Sequence, residues 1–124
     1  MEPDDYASTL QQFSDTSALT PDEMAEHAAE ASQVLKSIAN PNRLMILCTL
    51  TEGEKSVGAI NSSVPLSQSA LSQHLARLRD ESLVSFRKEG QSVFYRIRDP
   101  RIVALMTRLY ELYCAPDGTG QTDD

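Results

Sequence analysis

Leu66-Ser67-Gln68-Ser69-Ala70-Leu71-Ser72-Gln73-His74-Leu75-Ala76-Arg77-Leu78-Arg79 is the stretch whose reading decides the fold. Leu71, Leu75 and Leu78 recur at i, i+4 and i+7, the spacing of one apolar helical stripe. At about 100° per residue the opposite face carries Ser69, Gln73, Ala76 and Arg77, with Ser72 on its flank. His74 falls roughly 60° from the leucine stripe. Ser67 stands where its hydroxyl can cap the free N–H groups of the first turn. A short helix anchored by leucines and showing hydroxyls, amides and arginines outward suits a DNA major groove, where Gln pairs with adenine and Arg with guanine. Taken alone, the same pattern also describes an ordinary surface helix.

The flanking segments favour the DNA reading. Ser56 can cap a short helix from Val57 to about Asn61, and Ser62-Ser63-Val64-Pro65 makes a turn into the Ser67 helix. Two short helices joined by a tight turn form a helix-turn-helix. After it, Leu83-Val84-Ser85-Phe86-Arg87-Lys88 and Val93-Phe94-Tyr95-Arg96-Ile97 flank Glu89-Gly90-Gln91-Ser92. β-branched and aromatic residues on both sides of a glycine-bearing centre predict a β-hairpin. A hairpin in that place is a wing, its tip carrying Arg87, Lys88, Gln91 and Ser92 as donors for phosphates or the minor groove.

Three further helices complete the pattern. Thr20-Pro21-Asp22-Glu23 combines a cap, a first-turn proline and a capping box, and predicts a helix to about Ala39. Met24, Ala28, Ala31, Leu35 and Ile38 step by 4, 3, 4 and 3 along it, a seam suited to another helix or to the core. Asn40-Pro41 opens an apolar helix that contains Cys48 and ends near Gly53, and Asp99-Pro100 opens a last helix reaching about Cys114. The last helix has an apolar surface wide enough to bury against a second subunit as well as its own core. The expected class is mainly α with a β-hairpin wing: a dimeric winged helix-turn-helix of order ααααββα over residues 20–115. An acidic, aperiodic segment 1–19 is read as disordered, and 116–124 as a polar tail.

The formal net charge of the 124 residues is −7, which looks unfavourable for a DNA binder until its distribution is read. Residues 1–35 hold eight acids and no Lys or Arg, whereas 67–98 hold six bases against three acids. A weakly basic patch on an acidic chain suits a sequence reader that avoids tight non-specific binding. The acidic balance also permits a different class, a protein-interaction module on a winged-helix frame. No grouped nucleophile, base and acid and no phosphate-binding glycine loop occurs, which argues against an enzyme and leaves no cofactor to expect. Neither a membrane span nor a secretory signal is read, so the expected compartment is the cytoplasm.

Lys36-Ser37-Ile38-Ala39-Asn40-Pro41-Asn42-Arg43-Leu44 ahead of Leu71-Ser72-Gln73-His74-Leu75, then Leu83-Val84 and a basic hairpin, resembles the ArsR/SmtB family of repressors over about residues 22–114. The resemblance implies a homodimer, built by the first and last helices, on an inverted-repeat DNA operator with the reading helices about one DNA turn apart. It implies that Ser67, Gln68, Ser69, Ser72, Gln73, His74, Arg77, Arg87, Lys88 and Gln91 meet DNA. Metal-sensing members place cysteines at Lys55-Ser56-Val57-Gly58-Ala59-Ile60, or Asp and His on the last helix; neither ligand set is present, so no metal site is expected. Cys48, in Ile46-Leu47-Cys48, and Cys114, in Leu112-Tyr113-Cys114, look instead like the dithiol of the persulfide-sensing SqrR/BigR-type branch. That resemblance implies low-molecular-weight persulfides as inducers, a di- or polysulfide bridge that lowers operator affinity, and control of sulfide-oxidation and detoxification genes. Metal-ion or general thiol-redox sensing is the alternative within the family, and two buried, inert thiols are the ordinary reading of such a pair.

Overall fold

In the computed structural model, residues 19–114 are described; the acidic segment up to Ala18 and residues 115–124, with the polar tail, lie outside them. The elements run α1 (Pro21–Ile38), α2 (Pro41–Thr49), a 3-10 turn (Leu50–Glu52), β1 (Lys55–Ser56), α3 (Val57–Ser63), α4 (Gln68–Asp80), β2 (Val84–Glu89), β3 (Ser92–Ile97) and α5 (Pro100–Tyr113). Compact units divide inside α1, between Lys36 and Ser37.

α1 starts as its sequence dictates. The Glu23 N–H donates to Thr20 Oγ1 at 3.1 Å, and the Thr20 N–H donates to Glu23 Oε1 at 2.9 Å, a reciprocal capping box. Its stripe is largely open in the single chain, with Met24 49% and Leu35 52% exposed.

In the second unit every helix start is fixed by a side-chain cap. Asn40 Oδ1 accepts from the N–H groups of Asn42 and Arg43 at 3.0 and 3.1 Å, ahead of Pro41. Ser56 Oγ accepts from the Ala59 N–H at 3.0 Å, Ser67 Oγ from the Ala70 N–H at 3.1 Å, and Asp99 from the Arg101 N–H at 2.9 Å. The core is the meeting of four helices: Ile46, Leu47, Ile60, Leu71, Leu75, Leu78 and Met106 are at most 1% exposed. The three leucines of α4 are the predicted stripe, each contributing about 2 kcal/mol on burial.

The sheet departs from the expected order in one respect. It has three antiparallel strands in the order β1-β3-β2, where the sequence predicts only the hairpin. Lys55 pairs with Tyr95 and Ser56 with Phe94. Two residues cannot show a period-2 pattern, and Ser56 ends the strand while capping α3, so the cap was legible and the strand was not. In the hairpin, Glu89 pairs with Ser92 across Gly90-Gln91, and Gly90 at φ 63 takes the left-handed backbone the tight turn requires.

Candidate nucleic-acid interface and thiol cleft

The face of α4 away from the core carries the predicted readers. Ser67, Gln68, Ser69, Ser72, Gln73 and Arg77 are exposed, while His74 is half-buried on the flank of the stripe. The Arg77 Nε–H donates to Glu81 Oε2 at 3.2 Å. Arg77 remains 63% exposed in this pair, and so exposed an ion pair restrains the guanidinium only weakly. Glu81 Oε1 also accepts the Ser37 hydroxyl, which anchors the end of the reading helix to the end of α1.

A groove of about 790 Å³ runs between α3, the first turn of α4 and the hairpin turn. Gln68 of the helix and Gln91 of the wing line it together with Ser56, Asn61, Ser62 and Ser92. Ser56, Asn61 and Ser62 join Gln68, Gln91 and Ser92 in this groove although the sequence does not single them out as DNA contacts. No positive charge marks Ser56, Asn61 or Ser62; their only signal is their place at the cap and within the first helix of the helix-turn-helix. Asn61 also holds the turn itself, its Nδ2 donating to the Leu66 carbonyl at 2.9 Å.

The wing is charged differently from expectation. Lys88, Gln91 and Ser92 are exposed near its turn. Arg87, read as a tip donor, lies in the body of β2 opposite Phe94. Its Nε and Nη2 donate to the two carboxylate oxygens of Glu54, both at 2.8 Å, and its Nη1 donates to Glu89 at 2.8 Å. Its guanidinium carbon sits 4.7 Å from the centre of the Phe94 ring. These hydrogen bonds hold the Glu54 carboxyl below the usual carboxylate range and push Arg87 further up. Sequence reasoning missed this because Glu54 is 33 positions from Arg87.

The two cysteines share a second place, a cleft between α2 and α5. Cys48 is half-buried on α2, and Cys114 is exposed at the C-terminal end of α5, its N–H donating to the Tyr110 carbonyl at 2.7 Å. α2 and α5 pack against each other. Both cysteines line one cleft of about 630 Å³, walled by Leu44, Met45, Leu109, Tyr110 and Tyr113. Burial pushes the Cys48 thiol up, and the charge of Cys114 adds to the push. Such a pair can exchange sulfur with an electrophile that reaches the exposed member first. Among the described residues no three His, Cys, Asp or Glu side chains converge as a metal site, and no helix is long and apolar enough to cross a membrane.

Comparison with known proteins places this geometry. Residues 40–85 match the family described as "Bacterial regulatory protein, arsR family". The chain is 50% identical over 92 residues to the transcriptional activator HlyU of Vibrio cholerae, covering 74% of this chain and 85% of that one. It is 39% identical over 94 residues to the biofilm growth-associated repressor of Agrobacterium fabrum, covering 76% and 80%. Among solved structures, the repressor BigR from Xylella fastidiosa superposes with a TM-score of 0.71 at 37% identity, covering 78% of this chain and 99% of that one.

Proposed function

The chain belongs to the arsR family of bacterial regulatory proteins, which are DNA-binding transcriptional regulators and not enzymes, and from that membership we propose a persulfide-gated repressor. In this reading a homodimer holds an inverted-repeat operator in the cytoplasm and lets go when sulfur bridges Cys48 and Cys114. The regulated genes serve sulfide oxidation and detoxification. Relatives named as activator and as repressor both occur; the gated quantity common to either outcome is operator occupancy. The dimer reading draws on the apolar surface left open at the end of α5, where Leu112 is 54% and Tyr113 78% exposed.

The observation that carries the proposal is the shared cleft, because its two walls belong to different working parts. Cys48 rides on a helix packed into the reading domain, and Cys114 on the last helix, which carries that apolar surface. The exposed Cys114 thiolate attacks the outer sulfur of a persulfide RSSH; the RS–S bond breaks, RS⁻ leaves as thiol, and Cys114 carries –S–SH. The Cys48 thiolate then attacks the Cys114 sulfur and expels hydrosulfide, closing a disulfide. If Cys48 has itself taken a sulfur from a second RSSH, the same attack closes a trisulfide, again with loss of hydrosulfide. The persulfide is the oxidant in both routes. A plain disulfide needs Cα atoms about 4.4–6.8 Å apart, and inserted sulfur relaxes that demand, which gives a geometric basis for preferring persulfide to peroxide. A bridge between these helices biases the spacing of two reading heads, a coupling between distant sites.

Mass spectrometry after persulfide, peroxide or glutathione-disulfide treatment, run beside DNA binding, tests the proposal. The expected product links Cys48 to Cys114 and lowers affinity for a duplex enriched by the reduced protein from a randomised library. C48S and C114S must each abolish the response. Persulfide treatment that leaves the two cysteines unlinked, or that links them without loss of binding, refutes the proposal.

A further inference from the structure

Arg87 makes an unusual crossing. It pairs with Phe94, and Phe94 pairs with Ser56 on its other side, so the three form one row across the sheet. Glu54 stands two residues before Ser56 and, by the two-residue period of extended chain, belongs to the same face. From the outer strand β2, Arg87 thus spans the central strand over the Phe94 ring and grips Glu54 beyond the opposite edge. Glu54 lies in the link between the 3-10 turn and β1, directly ahead of α3. The crossing therefore ties the outer strand of the wing to the chain entering the helix-turn-helix. A second arginine, Arg79 at the end of α4, lies 5.1 Å over the Phe86 ring, on the other face of β2.

We propose that Glu54 and Arg87 are positioning residues of the wing: a strap across the sheet that fixes where the hairpin turn meets DNA, and not a phosphate contact. The inference rests on the reading of the wing as a DNA-contacting element. All three guanidinium nitrogens already donate, in the two-point fork that gives arginine–carboxylate pairs their directional strength. One ring face covers the cation. Two carboxylates share the one Arg87 guanidinium, with Arg96 a further positive charge acting on Glu54, so the Arg87 charge is already compensated and does not seek a phosphate. Lys88, Gln91 and Ser92, which make no such pair among the described contacts, are the donors the strap presents.

The test is a salt series of binding to a duplex that the wild-type protein enriches from a randomised library. Glu54→Gln removes a negative charge near DNA. Were Arg87 a masked phosphate donor, this variant would bind more tightly. The strap predicts the opposite: binding about three- to tenfold weaker, the effect of leaving one or two rotamer-rich side chains to be ordered on binding. Arg87→Gln should lose as much with an unchanged salt slope, whereas loss of a phosphate contact lowers the slope by about 0.9. The double variant should lose no more than either single one, and the exchanged pair E54R/R87E should regain most of the affinity. Both positions are exposed, and matching far-UV spectra and melting temperatures check that the variants fold. Unchanged or tighter binding by E54Q, a reduced slope for R87Q, or an exchanged pair weaker than either single variant overturns the strap alone. Failure of the wild type to enrich any duplex overturns the DNA reading as well.

Discussion

Bridging Cys48 and Cys114 should stabilise the fold while it weakens DNA binding. The bridge closes a loop of 114 − 48 = 66 positions. In the chain-entropy description, a loop of that length removes about 4 kcal/mol of freedom from the unfolded chain. Native-state strain subtracts from this. Cys114 is exposed and caps the end of α5, so the last helical turn can move toward Cys48 without disturbing the core residues Ile102 and Met106. A net gain of about 2–4 kcal/mol is expected. With a urea m-value of about 1–3 kcal/mol/M, the unfolding midpoint should rise by at least roughly 0.7 M. The measurement is equilibrium unfolding followed by far-UV circular dichroism on reduced and persulfide-treated protein at one fixed chain concentration, since dimerisation makes stability concentration-dependent. C114S treated in parallel should not shift. A bridged form no more stable than the reduced one would mean that closure distorts the fold, and release of DNA would then follow from damage rather than from a switch. An equal gain in C114S would refute the bridge itself.

Other consequences are independent of the bridge. Asn40→Ala strips the cap from the helix that carries Cys48, removing the acceptor of two N–H groups; it should cost about 1 kcal/mol and lower the melting temperature by roughly 4–8 °C, and a change under about 1 °C would contradict the cap's role. Gln73→Ala should relax discrimination at one operator base pair by about 1–3 kcal/mol and leave the melting temperature unchanged; equal binding of all single-base operator variants by wild type and mutant would remove Gln73 from the readers. Burial, then the charge of Cys114, raises the Cys48 thiol in the fold. The folded state thus holds that proton more firmly than the unfolded chain, whose thiols titrate near about 8.5. The resulting stability is complete below that value and is lost as pH rises through the raised one, so reduced wild type should lose stability above about pH 8.5 faster than C48S; parallel curves would refute the shift. At neutral pH a thiol-alkylating reagent should modify the exposed Cys114 before Cys48, which peptide mapping at short times would show.

Much of this molecule is written in short-range sequence. Caps act over two or three residues, and the leucine stripe of α4 over seven, so Asn40, Ser56, Ser67 and Asp99 announce their helices without reference to anything distant. Gly90 announces the hairpin turn by the backbone region it must enter. The winged helix-turn-helix order and the outward face of α4 were legible for that reason. β1 was not, because a two-residue strand exists only through its partners on β3.

The candidate sites divide along the same line. Charge and position nominated Arg87 as a DNA contact, since an arginine in a basic hairpin shows nothing of the partner it will meet. Folding carries Glu54 across the sheet to it and gives the guanidinium a carboxylate partner that its place in the hairpin does not announce. The cysteines show the complementary case. Their identities and their helices could be read directly, but a sequence holds no distance between positions 48 and 114. Packing of α2 against α5 supplies it, placing both thiols on one cleft and making the charge of one felt by the other. Periodicity and capping, which are local, determined the helices and the hairpin of this protein from its sequence alone; which charges cancel and which thiols share a cleft is a property of contacts between elements, and only the tertiary structure decided it.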